Sequence, residues 1–178
     1  FASFTGSAGG ALNVTGTFGS STNYLKFTTA PTLTPATTGI LSRMTVNGNE
    51  FATYNSTNGI VAFTGYAAAT NVLSATVAQT YKATSATANS LTGNQTLNAL
   101  TISSGPLVGN SPTVGGLGGL NPTTLTLTSG AILATSSGSG ATAALGVPVV
   151  SFGATGTSEA IIHVASGQTL TVTSGFST

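Results

Sequence analysis

Few side chains in this sequence could act as an acid, a base or a metal ligand. The chain contains two carboxylates, Glu50 and Glu159, one histidine, His163, and no Asp or Cys. Glu159 and His163 lie four residues apart in a strand-like segment, so their side chains point to the same face. A hydrolase triad would also need a glycine-flanked nucleophile at a strand-to-helix turn, and the sequence has none. We therefore expect the two side chains to be exposed on the outer face of the strand. The core-facing residues of this segment are then Ala160, Ile162 and Val164.

The other patterns do not form a recognisable chemical site. A glycosidase needs two carboxylates about 5–10 Å apart, and a Ca²⁺ site needs several carboxylates or many carbonyl oxygens. The glycine-rich run at 115–119 lacks the Lys-Ser/Thr pair that completes a phosphate-binding loop. The sequence therefore predicts no catalytic, cofactor-binding or metal-binding residues, and a protein that is not an enzyme.

Aromatic side chains offer one further kind of site, a patch on which sugar rings could stack. The candidates are Tyr24, Tyr54, Phe63 and Tyr66. Aromatic rings more often fill the core or the gaps between elements, so both interpretations stay open.

Charge is scarce in the whole chain. Only 3% of the 178 residues are charged, whereas a soluble domain has roughly 25%, and mixed surface charge helps to keep proteins apart. The charged residues are Lys26, Arg43, Glu50, Lys82 and Glu159. This composition favours a protein that contacts copies of itself or lies within a larger assembly.

The same composition argues against two classes of partner. A net charge of +1 offers little attraction for nucleic acid, and no apolar run approaches the roughly 20 residues needed to span a bilayer. The first residue, Phe1, follows no initiator Met or leader, which is typical of a mature or excised segment.

A repeat in the second half of the chain predicts the fold. The segments LTISSG, LTLTSG and LTVTSG begin at Leu100, Leu125 and Leu170, and the second interval is nearly twice the first. These intervals fit steps of about 22 residues, with a divergent copy near 147–153. Short strands that end in Ser/Thr-Gly corners at this period predict an all-β, right-handed parallel β-helix with looped-out insertions. A leucine-rich repeat would need an Asn ladder, and a β-sandwich would not show this period.

Alternation within the repeated strands predicts their register. The residues expected to point inward and to stack in columns are Leu100, Ile102, Leu125, Leu127, Leu170 and Val172. The residues expected to face outward are Thr101, Thr126 and Thr171.

The chain is predicted to form a single β-helical domain over residues 1–178. Residues 1–22 are interpreted as a cap or an inter-subunit strand, and residues 106–122 as a Gly/Pro-rich loop. The dipeptides at 47–48 and 58–59 are both Asn-Gly, which indicates a local hairpin or a looped-out coil between them.

Three segments resemble the autotransporter-associated β-strand repeat proteins of bacterial surfaces. These segments are Arg43–Tyr54, Asn94–Ile102 and the two runs Glu159–Val164 and Gly167–Val172. The resemblance covers about residues 40–175 and implies a secreted, repetitive, right-handed β-helix at the cell surface.

These observations lead to one functional expectation and one alternative. We expect an extracellular structural protein, a subunit or segment of a bacterial surface fibre that associates head to tail with copies of itself. The alternative is an adhesin or glycan-binding surface module. Neither interpretation requires a cofactor.

Overall fold

The structure is a computed structural model that describes residues 1–5, 8–20, 22–68, 72–84, 89–103, 106–109, 123–135, 143–153 and 159–177. These residues form fourteen strands and one 3₁₀ turn, Val72–Ser74, with no α-helix among them. The strands are β1 (Leu12–Val14), β2 (Leu41–Val46), β3 (Glu50–Asn55), β4 (Gly59–Ala62), β5 (Thr80–Ala83), β6 (Asn89–Leu91), β7 (Gln95–Ile102), β8 (Pro106–Gly109), β9 (Thr124–Ala134), β10 (Ala143–Gly146), β11 (Val149–Phe152), β12 (Ile161–Val164), β13 (Leu170–Val172) and β14 (Gly175–Ser177).

Strands β5 to β14 form a parallel β-helix. One sheet has the order β14-β11-β9-β7-β5, with β12 also paired to β9, and a second has the order β13-β10-β8-β6. All pairings in both sheets are parallel, and the four strands of the second sheet mark four stacked coils. The predicted fold class is therefore confirmed.

The coils differ in length. Leu107 pairs with Asn89 in the preceding coil and with Leu145 in the following coil. The number of residues from Leu107 to Leu145 is about twice the number from Asn89 to Leu107. The longer coil includes residues 110–122 and 136–142, which lie outside the described parts of the chain. The predicted loop at 106–122 needs a correction at its start, because its first four residues form strand β8.

Columns of apolar side chains fill the interior of the β-helix. Leu97, Leu127 and Phe152 occupy successive coils of one column, and each is buried. Leu100, Ile102, Leu125 and Leu127 all point inward as predicted, whereas Leu170 is half-buried and Val172 is exposed. Burying a Leu or Ile side chain stabilises a fold by about 1.5–3 kcal/mol, so these columns hold the coils together.

The repeated segments do not stack on one another, and this part of the register prediction is wrong. Leu100 pairs with Ile132, Leu125 pairs with Val150, and Leu170 pairs with Ala143. Ile132, the partner of Leu100 on the next coil, therefore comes later in the sequence than the next copy of the motif, which begins at Leu125. The motif specifies a strand and a corner, and its copies pair at different positions along the sheets.

Strands β1 to β4 form a separate four-stranded sheet, which we call the meander. Strands β2, β3 and β4 are antiparallel, and β1 joins the edge of β2 in parallel orientation. The turns between them contain the two Asn-Gly dipeptides, with Asn47, Gly48 and Gly59 at φ values of 54°, 69° and 73°. These left-handed conformations favour Asn and Gly, and the predicted local hairpin is confirmed. Residues 1–22, interpreted as a cap or an inter-subunit strand, contribute β1 to this sheet.

Candidate functional site

The outer surface of the β-helix carries two columns of side chains that face the meander. One column is Lys82, Thr101, Leu133 and His163, in register on β5, β7, β9 and β12. The neighbouring column is Thr80, Ala99, Ala131 and Ile161. We call these eight residues the docking face.

Apolar side chains of the meander pack on the centre of the docking face. Phe51 is fully buried in a cluster that also contains Ala99 and Ala131. The remaining members of that cluster are Ile40, Phe63 and Leu133, with Tyr66 at its margin. The two alanines leave room for the Phe51 ring, so the second halves of β7 and β9 are buried on both faces.

This double burial corrects the prediction for Thr101. The sequence predicts an outward and exposed Thr101, and its side chain does face outward from the β-helix, but it is fully buried at the docking face. Thr126 is half-buried and Thr171 is exposed, as expected for outward-facing positions that the meander does not cover.

One ion pair lies at the edge of the docking face where β5 begins the β-helix. Lys82 donates to the carboxylate of Glu50, which also accepts a hydrogen bond from the Tyr66 hydroxyl. The ammonium of Lys82 lies 4.9 Å from the centre of the Tyr66 ring. Burial raises the pKa of Tyr66 above its ordinary value, and the hydrogen bond to Glu50 raises it further. Tyr66 is therefore a neutral hydrogen-bond donor to Glu50 at physiological pH.

A second ion pair lies at the opposite edge of the docking face. Arg43 of β2 contacts Glu159, which precedes β12, and also donates to the Gly10 carbonyl at 3.0 Å. The backbone N–H of Gly9 donates to the same carboxylate at 2.8 Å. The hydrogen bond from Arg43, followed by that from Gly9, lowers the pKa of the Glu159 carboxyl.

His163 lies between the β-helix and the meander. Its Nε2–H donates to the Ser42 carbonyl at 2.9 Å, and its ring meets the edge of Phe51 at a centroid distance of 6.1 Å. Burial lowers the pKa of the imidazole, so the neutral form is favoured. The expectation that Glu159 and His163 form an exposed pair is wrong: His163 points outward from β12 but is half-buried against Ser42 and Phe51, and Glu159 is paired with Arg43.

The geometry places Glu50, Glu159 and His163 at the interface between the meander and the β-helix, in two ion pairs and one hydrogen bond. Glu50 and Glu159 belong to different ion pairs, each with one partner on the meander and one on the β-helix. Within the described residues no three His, Cys, Asp or Glu side chains form a group that could hold a metal ion. Sequence reasoning missed these pairs, because the positions of Arg43, Glu50, Lys82 and Glu159 along the chain do not show which of them meet.

The C-terminal end of the β-helix exposes the cross-section of its core. Ile162, Val164, Val172 and Phe176 stand above the buried residues of four inner columns, which are Ile132, Ala134, Leu145 and Val150. Their exposures are 38%, 46%, 36% and 51%, respectively. The prediction that Ala160, Ile162 and Val164 face the core is right in direction for Ile162 and Val164, although both side chains are partly exposed, and Ala160 is exposed. We call these four residues the open end.

The opposite end of the β-helix is covered. Tyr81, Ala83 and Leu91 of its first coil are all buried. The residues that pack against this coil are Ala67, Val72, Leu73 and Ala75, and the N–H of Ala67 donates to the Thr80 carbonyl at 2.9 Å. We call residues 66–68 and 72–79 the cover.

Most of the aromatic candidates for sugar binding have other roles. Phe63 is buried, Tyr66 belongs to an ion-pair cluster, and the Tyr54 hydroxyl donates to the Phe27 carbonyl at 3.2 Å. Tyr24 is exposed, with the Lys26 ammonium 4.6 Å from its ring centre. These two residues line a shallow cavity of about 440 Å³ together with Phe27.

No family model, curated protein or solved structure matches this chain. In the described part of the chain, no helix is long and apolar enough to cross a membrane.

Proposed function

We propose that this chain is an extracellular structural protein, a rigid β-helical subunit or segment of a bacterial surface fibre, which works by self-association and not by catalysis. The observation that carries this proposal is the open end. It presents four apolar side chains that continue the core columns without any covering residue in the described structure. Exposed apolar patches can mark association sites in soluble proteins.

The placement of the charged residues supports the non-catalytic part of the proposal. Glu50, Glu159 and His163 each contact a residue on the other side of the interface between the meander and the β-helix. A general acid or base must instead reach a substrate in a cleft. Replacing all three residues should leave any biological activity unchanged apart from stability, and hydrolysis that depends on them would contradict the proposal.

Composition and resemblance support the extracellular part of the proposal. The segments that resemble autotransporter-associated β-strand repeats fall on β2–β3 of the meander, on β7 of the docking face and on β12–β13, which contribute to the open end. A secreted β-helix at a bacterial surface would use such strands for stability and contact.

The head-to-tail arrangement expected from the sequence would join the open end of one copy to the opposite end of the next copy. Because the cover packs over that opposite end, such a joint requires the cover to bind the open end or to move away from Tyr81 and Leu91. A head-to-tail joint therefore requires the cover to take part in the contact or to change its position.

Light scattering and electron microscopy of the purified chain at roughly tens of micromolar, where exposed edges normally associate, test the proposal. We expect dimers or larger assemblies without any added ligand. A stable monomer over this range would contradict it.

The alternative function, glycan binding, rests on a separate observation. Tyr24 is exposed beside a charge, Lys26, that takes part in no ion pair within the described residues. A glycan array with the unmodified chain and the Tyr24→Ala variant tests this function, with Phe176→Ala at the open end as the control. A signal lost only with Tyr24→Ala would favour a glycan-binding module.

A further inference from the structure

We infer that assembled copies of this chain exchange strand β1, so that residues 8–14 of one copy pair with β2 of the next copy. We call residues 8–14 the arm. This inference rests on the proposed function, since it names a joint between the self-associating copies. When each copy passes its arm to the next one and the series does not close, the exchange continues along a fibre.

The edge of β2 recognises the arm by its sequence. Strand β1 pairs in parallel with the last three residues of β2. The Asn13 side chain accepts from the Thr45 hydroxyl at 3.1 Å and from the Gly48 N–H at 2.7 Å. The Arg43 guanidinium donates to the Gly10 carbonyl at 3.0 Å. A second copy of the chain carries the same segment, so its arm can make the same contacts.

Little of the arm is buried. All of its residues are exposed except Val14, which is half-buried. Leu12, its largest apolar side chain, is 44% exposed. Segments with few buried apolar contacts open locally at a low free energy. The arm can therefore leave β2 while the rest of the meander stays folded around its buried side chains, which include Met44, Phe51 and Ile60.

The edge of β2 needs a partner once the arm has left it. Its backbone N–H and C=O groups would be unpaired, and exposed edges of this kind bind strands from other chains. The N–H of Asn47 donates to the Val14 carbonyl at 2.8 Å. The Asn47 side chain donates to the Gly16 carbonyl at 3.0 Å and accepts from the Gly16 N–H at 2.8 Å. The arm of a second copy, with the residues that follow it, can restore all of these bonds.

The connection after the arm is long enough for exchange. Val14 lies at one edge of the meander, and Leu25 pairs with Gly59 at the opposite edge. Four steps between neighbouring strands, at about 4.8 Å each, separate the two ends by roughly 19 Å. The chain from Val14 to Leu25 can extend to about 36–40 Å. The arm can therefore bind a second meander whose β2 edge lies within this longer distance.

Assembly decides which copy the arm binds. The contacts within one copy and between two copies are the same, so the difference lies in the effective concentration of the β2 edge. A short connection gives the arm's own edge an effective concentration of roughly millimolar, so an isolated copy keeps its arm. In an assembly the edge of a neighbouring copy is held equally close. Exchange therefore accompanies self-association and joins the copies more firmly.

Two single-cysteine variants test the exchange, because the chain has no Cys of its own. Asn13→Cys places a thiol on the arm, and Thr45→Cys places one opposite it on β2. The variants are mixed as dilute monomers, concentrated to roughly tens of micromolar and oxidised. We expect a disulfide that joins two chains, seen as twice the chain mass on a non-reducing gel, to be about tenfold more abundant than in the dilute mixture.

Two further pairs of variants make the test specific. Val14→Cys with Val46→Cys, which are also in register, tests the exchange with Asn13 intact. The matched control is Thr53→Cys with Val61→Cys, which lie opposite each other in the hairpin of β3 and β4. A short turn joins these two strands, so the control pair should not link two chains. Circular dichroism confirms that each variant is folded.

The outcomes distinguish the exchange from the proposed function. If the unmodified chain assembles and neither arm pair links chains beyond the control pair, the exchange is overturned and self-association stands. The double variant with cysteines at 13 and 45 of one chain should give a ladder of linked chains. Linked dimers alone would overturn exchange along a fibre. A monomeric unmodified chain at roughly tens of micromolar would overturn both proposals.

Discussion

The ion pair between Glu50 and Lys82 should control how firmly the meander is held on the β-helix. The Glu50 carboxylate accepts from Lys82 and from the Tyr66 hydroxyl. The side chains of Lys82 and Glu50 are 23% and 29% exposed, so both are largely removed from water. The variant Glu50→Gln keeps the size of the side chain and removes its charge.

The expected cost follows from these contacts. Hydrogen bonds to a charged group contribute about 1.5–3 kcal/mol, and an exposed ion pair contributes about 0–1 kcal/mol. Because Lys82 keeps partial access to water and the amide of Gln can still accept one hydrogen bond, we expect a loss of about 2 kcal/mol. For a chain of this size, that corresponds to a decrease in Tm of roughly 4–8 °C.

A charge-swap experiment measures the pair itself. Thermal unfolding is compared for Glu50→Lys, for Lys82→Glu and for the double variant, with Lys26→Gln as the control at a charge outside the interface. We expect each single variant to lose more stability than Glu50→Gln, and the double variant to recover most of that loss. Hydrogen exchange should rise first in β2 and β3, since their contact with β7 and β9 is weakened.

Two results would refute this reasoning. If Glu50→Gln lowered Tm no more than Lys26→Gln, the pair would be an ordinary surface contact. If the double variant were no more stable than the single variants, the interaction between residues 50 and 82 would not be the cause.

Three further changes test other parts of the structure. Lowering the pH from 7 to 5 should reduce Tm, because unfolded His163 takes up a proton near its ordinary pKa of 6.5 while the buried imidazole resists protonation; the decrease should be absent in His163→Gln, and an unchanged pH profile would contradict it. Gly130→Ala should cost about 1–3 kcal/mol of stability, since Gly130 has a φ of 70° and an added Cβ would lie 2.2 Å from the Glu159 carbonyl oxygen. Gly93→Ala is the control, because a Cβ added at Gly93 meets open space. Equal urea midpoints for the two variants would refute the expectation. Leu127→Asp should unfold the β-helix because it places a carboxylate between the buried Leu97 and Phe152, and a native circular dichroism spectrum would rule this out.

The fold class and the inward direction of most repeated apolar residues could be predicted from the sequence, whereas the pairing of residues between coils could not. Repeated strands that end in Ser/Thr-Gly corners indicate a solenoid because each unit needs a neighbour to cover its apolar face. The repeated segments at Leu100 and Leu125 nevertheless do not pair with each other, since Leu100 pairs with Ile132 and Leu125 pairs with Gln95. Insertions of different lengths shift the register, and a local motif contains no information about their size.

The burial of the docking face could not be predicted from the sequence for a related reason. Alternation shows that Thr101 and His163 point away from the inner core, and this part of the prediction is confirmed by their register. Alternation does not show that a second layer covers that face, because the meander that covers it is far away in sequence. Arg43 and Glu159, for example, are separated by 116 positions.

The few charged residues of the chain are concentrated at one place in the structure. Four of the five charged residues of the chain form two ion pairs at one internal interface, where opposite charges hold the meander in a defined position. The open end has no such residue and exposes four apolar side chains. Charge is therefore placed where it specifies a contact within the chain and is absent where one copy would meet another. A surface without charge can accept its own copy, which supports the proposed self-association through this end.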